Sequence, residues 1–116
     1  MVYMQITENT QLDAMKLYTV DKPIPNWVLE HKEDIYRDVL IQCEQKLLNP
    51  DGVNRVEVAL LKTEAGITKF IIKDIVGILD SLERSMLYFA DVEQYDLAAR
   101  SRDCIVNWKK INTTCQ

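Results

Sequence analysis

Apolar side chains recur every three or four residues from Val28 to Leu47, and charged side chains occupy most positions between them. This spacing is typical of an amphipathic helix that packs one face on a core. Asn26 is a suitable N-cap, and the segment Asn49-Pro50-Asp51-Gly52 ends the pattern and turns the chain. The pattern therefore predicts a helix over residues 26–48.

A longer helical pattern occupies the second half of the chain. Apolar positions recur at spacings of three and four from Thr68 onward, and the pattern restarts after Asp91. We expect an antiparallel helical hairpin over residues 68–90 and 92–111, with Asp91 as the N-cap of its second helix. The start of the first helix is apolar nearly all round, which predicts burial in the domain or against a partner. Gly77 lies within it, either as a tolerated glycine or as a point where another helix comes close.

Two stretches fit more than one type of secondary structure. Residues 2–6 alternate as a short edge strand would, and Asn9-Thr10 is a possible cap for a short helix after them. Residues 53–64 fit either a strand or a helix that ends at Gly66. We favour the helix for this stretch because it contains several good helix formers.

Length and composition fit one small globular domain. The chain has 116 residues, of which 47% are hydrophobic and 28% charged, so a single apolar core is expected. We predict a mainly α fold over residues 1–116, a small helical bundle centred on the hairpin and preceded by an irregular segment over residues 1–25. The alternative is an α+β fold with a minor sheet from residues 2–6 and 56–61.

The residue types that carry most enzyme and metal chemistry are sparse. The three cysteines form no CxxC pair, and His31 is the only histidine. We expect Cys43 and Cys104 to be core residues, and His31, Asp34 and Asp38 to lie on a solvated helix face. The sequence contains none of the common phosphate-binding or hydrolase motifs. We therefore expect a protein that is not an enzyme and that uses no metal and no cofactor.

Charge and hydropathy narrow the classes of partner. The formal net charge is -4, which disfavours nucleic-acid binding. Arg100, Arg102, Lys109 and Lys110 leave a weak C-terminal nucleic-acid site as an alternative, although cations also suit a helix C-terminal end. The chain has no apolar run long enough for a membrane helix, and its first residues do not resemble a signal peptide. We expect a cytoplasmic protein that does not bind membranes.

The predicted hairpin carries a distinctive order of residues between positions 79 and 106. The order is Leu82-Glu83-x-x-Met86, then Ala90, then Tyr95-Asp96-x-Ala98-Ala99-x-x-Arg102-Asp103-x-Ile105. This order resembles the UVR motif, which is found in the excision-repair proteins UvrB and UvrC and in the protease adaptor McsA. Asp96 replaces the glutamate of the motif, and Ser101 stands where the family has leucine or isoleucine. The chain also lacks the zinc-binding CxxC pairs of McsA-type adaptors.

The resemblance implies a hairpin that docks onto another protein or onto a second hairpin. The implied interaction residues are Leu82, Met86, Tyr95, Ala98, Ala99, Arg102 and Ile105. Ala98 and Ala99 would give a flat strip that a second helix can approach. Arg102 would pair with an acidic residue of the first helix or of the partner.

The apolar surface of the chain also favours self-association. The bundle is too short to bury easily the apolar surface that Phe70, Ile72 and Val76 present. A dimer is our first expectation. We therefore predict a non-catalytic adaptor or regulator that acts through protein–protein contacts. The alternative from another class is a small phage or mobile-element protein that inhibits a host factor by direct binding.

Overall fold

The computed structural model describes residues 15–50 and 54–114, and within them the chain forms three strands and four helices. The elements in chain order are β1 (Lys16–Thr19), α1 (Ile24–Glu30), α2 (Lys32–Leu48), β2 (Val56–Thr63), β3 (Gly66–Ile72), α3 (Ile75–Asp91) and α4 (Tyr95–Thr114). About 62% of the structure is helical. The fold is therefore α+β, with a small sheet beside a mostly helical body.

The sheet has the strand order β1-β2-β3. The first two strands are parallel and α1 and α2 connect them, whereas β2 and β3 form an antiparallel hairpin with Val56 opposite Ile72. A bulge between Glu57 and Ala59 inserts Val58 as an extra residue in β2. Because of the bulge, the adjacent side chains of Val58 and Ala59 are both buried.

The core lies where α2 meets the central strand and the two C-terminal helices. Helix α2 packs against β2, α3 and α4, and α3 packs along α4. The largest fully buried side chains come from four different elements, among them Leu40 of α2, Val58 of β2, Leu82 of α3 and Ser101 of α4. One continuous apolar cluster therefore joins the sheet to the helices.

The helix predicted over residues 26–48 is two helices rather than one. Helix α1 begins at Ile24, with Pro25 in its first turn where the missing amide hydrogen is tolerated, so Asn26 does not cap it. His31, with φ -119° and ψ 34°, interrupts the helical backbone between Glu30 and Lys32. The amphipathic pattern predicts a helix here, but the spacing of its side chains does not show the break at His31.

The preference for a helix over residues 53–64 is wrong, because Val56–Thr63 is the central strand. Each side of this strand has a neighbour, and pairing with both outweighs the helix propensity of its residues. Gly66 opens β3 at φ +123° and does not end a helix. The strand predicted at 56–61 in the alternative fold is confirmed, while the one at 2–6 lies outside the described residues. Asn9-Thr10 also lies outside them.

The first helix of the predicted hairpin begins later than expected. Thr68 lies inside strand β3, and α3 starts after Asp74, whose carboxylate accepts a hydrogen bond from the Gly77 amide at 2.7 Å. A Cβ at Gly77 would lie only 3.1 Å from Ile72 Cγ2, so this glycine makes room for strand β3 and the cap, not for another helix. The burial predicted for this apolar segment holds only in part, because Ile72 and Ile78 are buried whereas Val76 is 73% exposed, and part of the segment is a strand. The mainly α bundle is therefore corrected to an α+β fold.

Candidate interaction surface

Helices α3 and α4 form the C-terminal hairpin. Only Val92–Gln94 joins them, so two helices that pack along one another must run antiparallel. Asp91 is the last residue of α3 and not the cap of α4. The amides of Glu93 and Gln94 donate to the carbonyls of Ala90 (3.1 Å) and Phe89 (2.7 Å), the bonding pattern of a Schellman helix end.

Glu93 occupies an unusual backbone conformation at this turn. Its φ of 64° is in the left-handed region, which glycine usually fills at this position of a Schellman end. The hairpin therefore keeps an acidic side chain at its tip in spite of local backbone strain.

Small buried side chains allow the hairpin to pack closely. Ser85 of α3 and Ser101 of α4 are fully buried, and each hydroxyl donates to the carbonyl four residues earlier, at 2.9 Å in both cases. Ser101 is the position where the UVR family has a larger apolar residue. Here its hydroxyl is satisfied by Leu97, so the departure leaves no unpaired buried group.

Helix α4 is held against α2 by two side-chain contacts. The Arg100 guanidinium donates two hydrogen bonds to the Glu44 carboxylate, at 2.6 and 3.2 Å, and Trp108 Nε1 donates to the carbonyl of Cys43 at 3.2 Å. Helix α3 also contacts α2, where the rings of Tyr36 and Tyr88 lie 5.3 Å apart. These contacts make the hairpin a firm part of the domain.

The prediction that Cys43 and Cys104 are core residues is confirmed. Both thiols are buried and free. Burial raises the pKa of Cys43 above its ordinary range and raises the pKa of Cys104 to about 12. Both are therefore protonated and poorly nucleophilic near neutral pH.

The interaction residues implied by the resemblance do not all lie on the surface. Leu82 is 0% exposed and belongs to the core, so it can support a contact surface but cannot touch a partner. Met86 and Ile105 are partly buried, and Ile105 packs against the core cluster. Ala98 and Ala99 are half-buried.

Two of the implied residues are exposed. Tyr95 is 64% exposed at the start of α4. Arg102 is exposed too, and its guanidinium lies 3.2 Å from its neighbour Asp103 rather than from an acidic residue of α3. The structure thus leaves Tyr95 and Arg102 accessible and places the other five partly or wholly inside.

The sequence predictions named Val76 and Tyr95 of the hairpin as surface for a partner, but not Leu87, Val92 or Val106. Val76 and Leu87 of α3, Val92 of the turn, and Val106 of α4 are large hydrophobics that remain exposed, as Tyr95 does. Val76 and Leu87 are eleven residues apart, as are Tyr95 and Val106, and eleven residues make about three helical turns. The spacing of each pair, on the side of its helix opposite the buried stripe, was the signal that could have revealed them. We call these five residues the outer face of the hairpin.

Of the three residues used to argue for self-association, only one remains strongly exposed. Ile72 is buried in the core and Phe70 is half-buried, whereas Val76 is 73% exposed. Of these three residues, only Val76 therefore offers apolar surface to a partner, and it lies on the hairpin.

Charge changes sign along the hairpin. From Ser85 to Ala99 the sequence contains no lysine or arginine, while Asp91, Glu93 and Asp96 are exposed around the turn. At the other end of α4 the exposed Lys109 and Lys110 are basic. The hairpin is therefore acidic at its tip and basic at its open end.

The C-terminal basic cluster is partly neutralised. Arg100 is bound to Glu44 and Arg102 lies beside Asp103. Arg100 and Arg102 therefore each carry an acidic neighbour, which weakens the local positive potential.

A second polar cluster joins strand β1 to helix α2. The Tyr18 hydroxyl donates to Asp38 Oδ2 at 2.5 Å, and Lys16 Nζ lies 3.5 Å from Asp38 Oδ1. Asp38 is only 3% exposed, so the prediction that it lies on a solvated face is wrong. Burial raises the pKa of its carboxyl, against the lowering effects of Tyr18 and Lys16.

His31 also differs from its prediction. It is half-buried at the break between α1 and α2, where its ring stacks on Trp27 with ring centres 4.1 Å apart. Its Nδ1 lies 2.8 Å from the Trp27 carbonyl, which accepts the hydrogen bond. This histidine therefore stabilises the break between the helices.

The surface offers shallow recesses. One at the hairpin turn, with a volume of about 550 Å³, is lined by Glu93, Gln94, Tyr95, Asp96, Leu97 and Arg100. Over the part of the chain that the structure describes, no group of three His, Cys, Asp or Glu side chains is placed to hold a metal ion. None of the helices in residues 15–50 and 54–114 combines the length and apolar content of a membrane crossing.

Comparison with known proteins gave no matching family model, no matching curated protein and no matching solved structure. The UVR resemblance therefore remains a hypothesis that rests on the residues of the hairpin.

Proposed function

We propose that this chain is a non-catalytic protein–protein interaction module, an adaptor or regulator that docks through the outer face of its C-terminal hairpin. The observation that carries the proposal is that five large apolar side chains are exposed on the hairpin. They are Val76, Leu87, Val92, Tyr95 and Val106. Covering a side chain of this size contributes roughly 1.5–3 kcal/mol. An inhibitor of another protein would use the same surface in the same way.

The contacts that hold the hairpin on α2 also favour docking. The hairpin is fixed to α2 through Arg100 and Trp108, so binding a partner does not require it to become ordered first. Tyr95 at its tip is a residue type that often dominates binding energy at interfaces. The order of residues that resembles the UVR motif lies on this same hairpin.

The test is a double substitution on the outer face, Leu87→Glu with Val106→Glu. Leu29 and Leu48 are similarly exposed apolar residues on α1 and α2, so Leu29→Glu with Leu48→Glu is the matched control. We do not choose Ala98 and Ala99, because glutamates at these half-buried positions would disturb the hairpin itself.

The measurement combines affinity capture from source-cell lysate with sedimentation of the purified chain. We expect the outer-face variant to lose both captured partners and self-association while its helical circular dichroism is unchanged. The control variant should keep them. If the folded outer-face variant binds as the wild type does, the hairpin is not the docking surface and the proposal fails.

A further inference from the structure

The charges on the exposed side of α4 complement those of a second α4 that runs in the opposite direction. Its buried stripe includes Ser101, Cys104 and Trp108. At 3.6 residues per turn the opposite side carries Tyr95, Ala99, Arg102, Asp103, Val106 and Lys110, with Asp96 and Lys109 at its margins. An acidic residue thus lies near the start of this side and basic residues lie near its end. Between them are Ala99, Val106 and the neighbouring charges of Arg102 and Asp103.

The pattern is nearly symmetric about the step from Arg102 to Asp103. Ala99 lies three residues before Arg102, and Val106 lies three residues after Asp103. Asp96 and Lys109 are each six residues from the same step. When two identical helices pack antiparallel with this step at their crossing point, each residue lies at the same height as the residue at the equal distance on the other side of the step.

We infer that the α4 part of the outer face, which carries Tyr95 and Val106, binds a second copy of this chain, with the two α4 helices antiparallel across a two-fold axis near Arg102–Asp103. The small Ala99 of one copy then receives Val106 of the other, and Asp96 faces the Lys109–Lys110 end. Tyr95 lies beside the same lysines, where its ring face attracts a cation. This inference rests on the proposed function and names the partner of that surface.

A parallel arrangement does not share this complementarity. It would place Asp96 against Asp96 and the two lysines against themselves, so like charges would meet at both ends. Charge therefore selects the antiparallel arrangement. The acidic turn adds to the effect, because Asp91 and Glu93 extend the negative end of each hairpin.

The test is charge reversal followed by charge restoration, measured by sedimentation equilibrium at low and high salt. Because the two-fold axis repeats every contact, Asp96→Lys changes two attractive contacts into repulsive ones, and we expect the dimer Kd to rise about tenfold or more. Lys109→Glu with Lys110→Glu should have a similar effect. The triple variant that combines all three changes should recover most of the lost affinity.

Matched controls use charges away from the hairpin's outer face. Glu64 in the β2–β3 turn and Lys73 before α3 are exposed. Glu64→Lys changes the net charge by the same amount as Asp96→Lys, and Lys73→Glu changes it by the same amount as either lysine reversal alone. Both controls should leave the dimer Kd within about twofold of wild type, since distant surface charges are screened at ordinary salt.

Crosslinking tests the geometry independently of charge. In a Cys115→Ser background, Ala99→Cys chains mixed with Val106→Cys chains should form a mixed dimer with a short bis-maleimide linker. Each single variant alone should crosslink poorly. Efficient Ala99→Cys self-crosslinking would overturn the antiparallel arrangement.

Two further results would overturn the inference. One is a wild-type chain that stays monomeric at every concentration, and the other is a folded triple variant that does not recover dimerisation. If the wild-type chain is monomeric but the Leu87→Glu, Val106→Glu variant loses a captured protein, the second copy is excluded as the partner. The proposed docking function then stands. If neither self-association nor capture depends on the outer face, the proposed function fails as well.

Discussion

Asp38 is the residue whose replacement best tests the link between the sheet and α2. Its carboxylate is buried, accepts the hydrogen bond of the Tyr18 hydroxyl and lies near Lys16. In Asp38→Ala the Tyr18 hydroxyl loses its acceptor inside a half-buried site. An unsatisfied donor of this kind costs about 1–3 kcal/mol, and we expect about 1–2 because Tyr18 is only partly shielded from water.

Asp38→Asn should behave differently. The asparagine carbonyl can accept the same hydrogen bond, and no charge has to be buried, so we expect stability within about 1 kcal/mol of wild type. Asp34→Ala is the matched control, because Asp34 lies one turn earlier on the same helix and is only half-buried. It should change the free energy of unfolding by less than about 0.5 kcal/mol.

The pH dependence gives a second, signed test. Burial raises the pKa of Asp38 above its ordinary 3.8, so in the window above 3.8 the folded state holds this proton more firmly than the unfolded state. The contribution of Asp38 to stability therefore becomes less favourable as pH rises through this window, and stays so at neutral pH. Asp38→Asn lacks this dependence, so its stability relative to wild type should be higher at pH 7 than at pH 4.

The assay is urea unfolding followed by circular dichroism at both pH values. Two results would refute the reasoning. The first is an equal loss of stability in Asp38→Ala and Asp38→Asn, which would mean that the hydrogen bond contributes nothing. The second is a relative stability of Asp38→Asn that falls from pH 4 to pH 7, which would mean that burial does not raise the pKa of this carboxyl.

Three other predictions concern the hairpin and its packing. Glu93→Gly should raise the free energy of unfolding by about 0.5–1 kcal/mol in urea titrations, because the left-handed backbone strain exceeds the added entropy of glycine in the unfolded chain; a loss of stability would contradict this. Ser101→Leu, which restores the residue type of the UVR family, should lower it by about 1–3 kcal/mol in thermal unfolding, because the site is fully buried and sized for a small side chain; an unchanged Tm would show that the hairpin can open without loss. In a Cys115→Ser variant, Cys43 and Cys104 should resist a thiol reagent at pH 8 in the native state and both react in denaturant; fast native labelling would mean that α2 and α4 separate readily.

Some features of the fold were open to prediction from sequence because they depend on local periodicity. The apolar stripe that includes Val39 and Cys43 repeats every three or four residues, and such a stripe identifies both a helix and the side that it buries. The same reasoning located the C-terminal hairpin to within a few residues at its turn. Among the exposed residues of the hairpin, the UVR resemblance pointed to Tyr95 and Arg102 but not to Leu87 or Val106.

Sequence by itself therefore determined the amphipathic α2, the C-terminal hairpin and the burial of Cys43 and Cys104. Only the tertiary structure decided that residues 56–63 are a strand, since their apolar pattern fits both elements and the hydrogen-bond partners in β1 and β3 lie at other places in the chain. It also decided that Asp38 is buried and that Leu82 is inaccessible. The physical reason is that periodicity records which side of a segment is apolar, whereas the neighbour that covers that side is chosen by packing among distant segments.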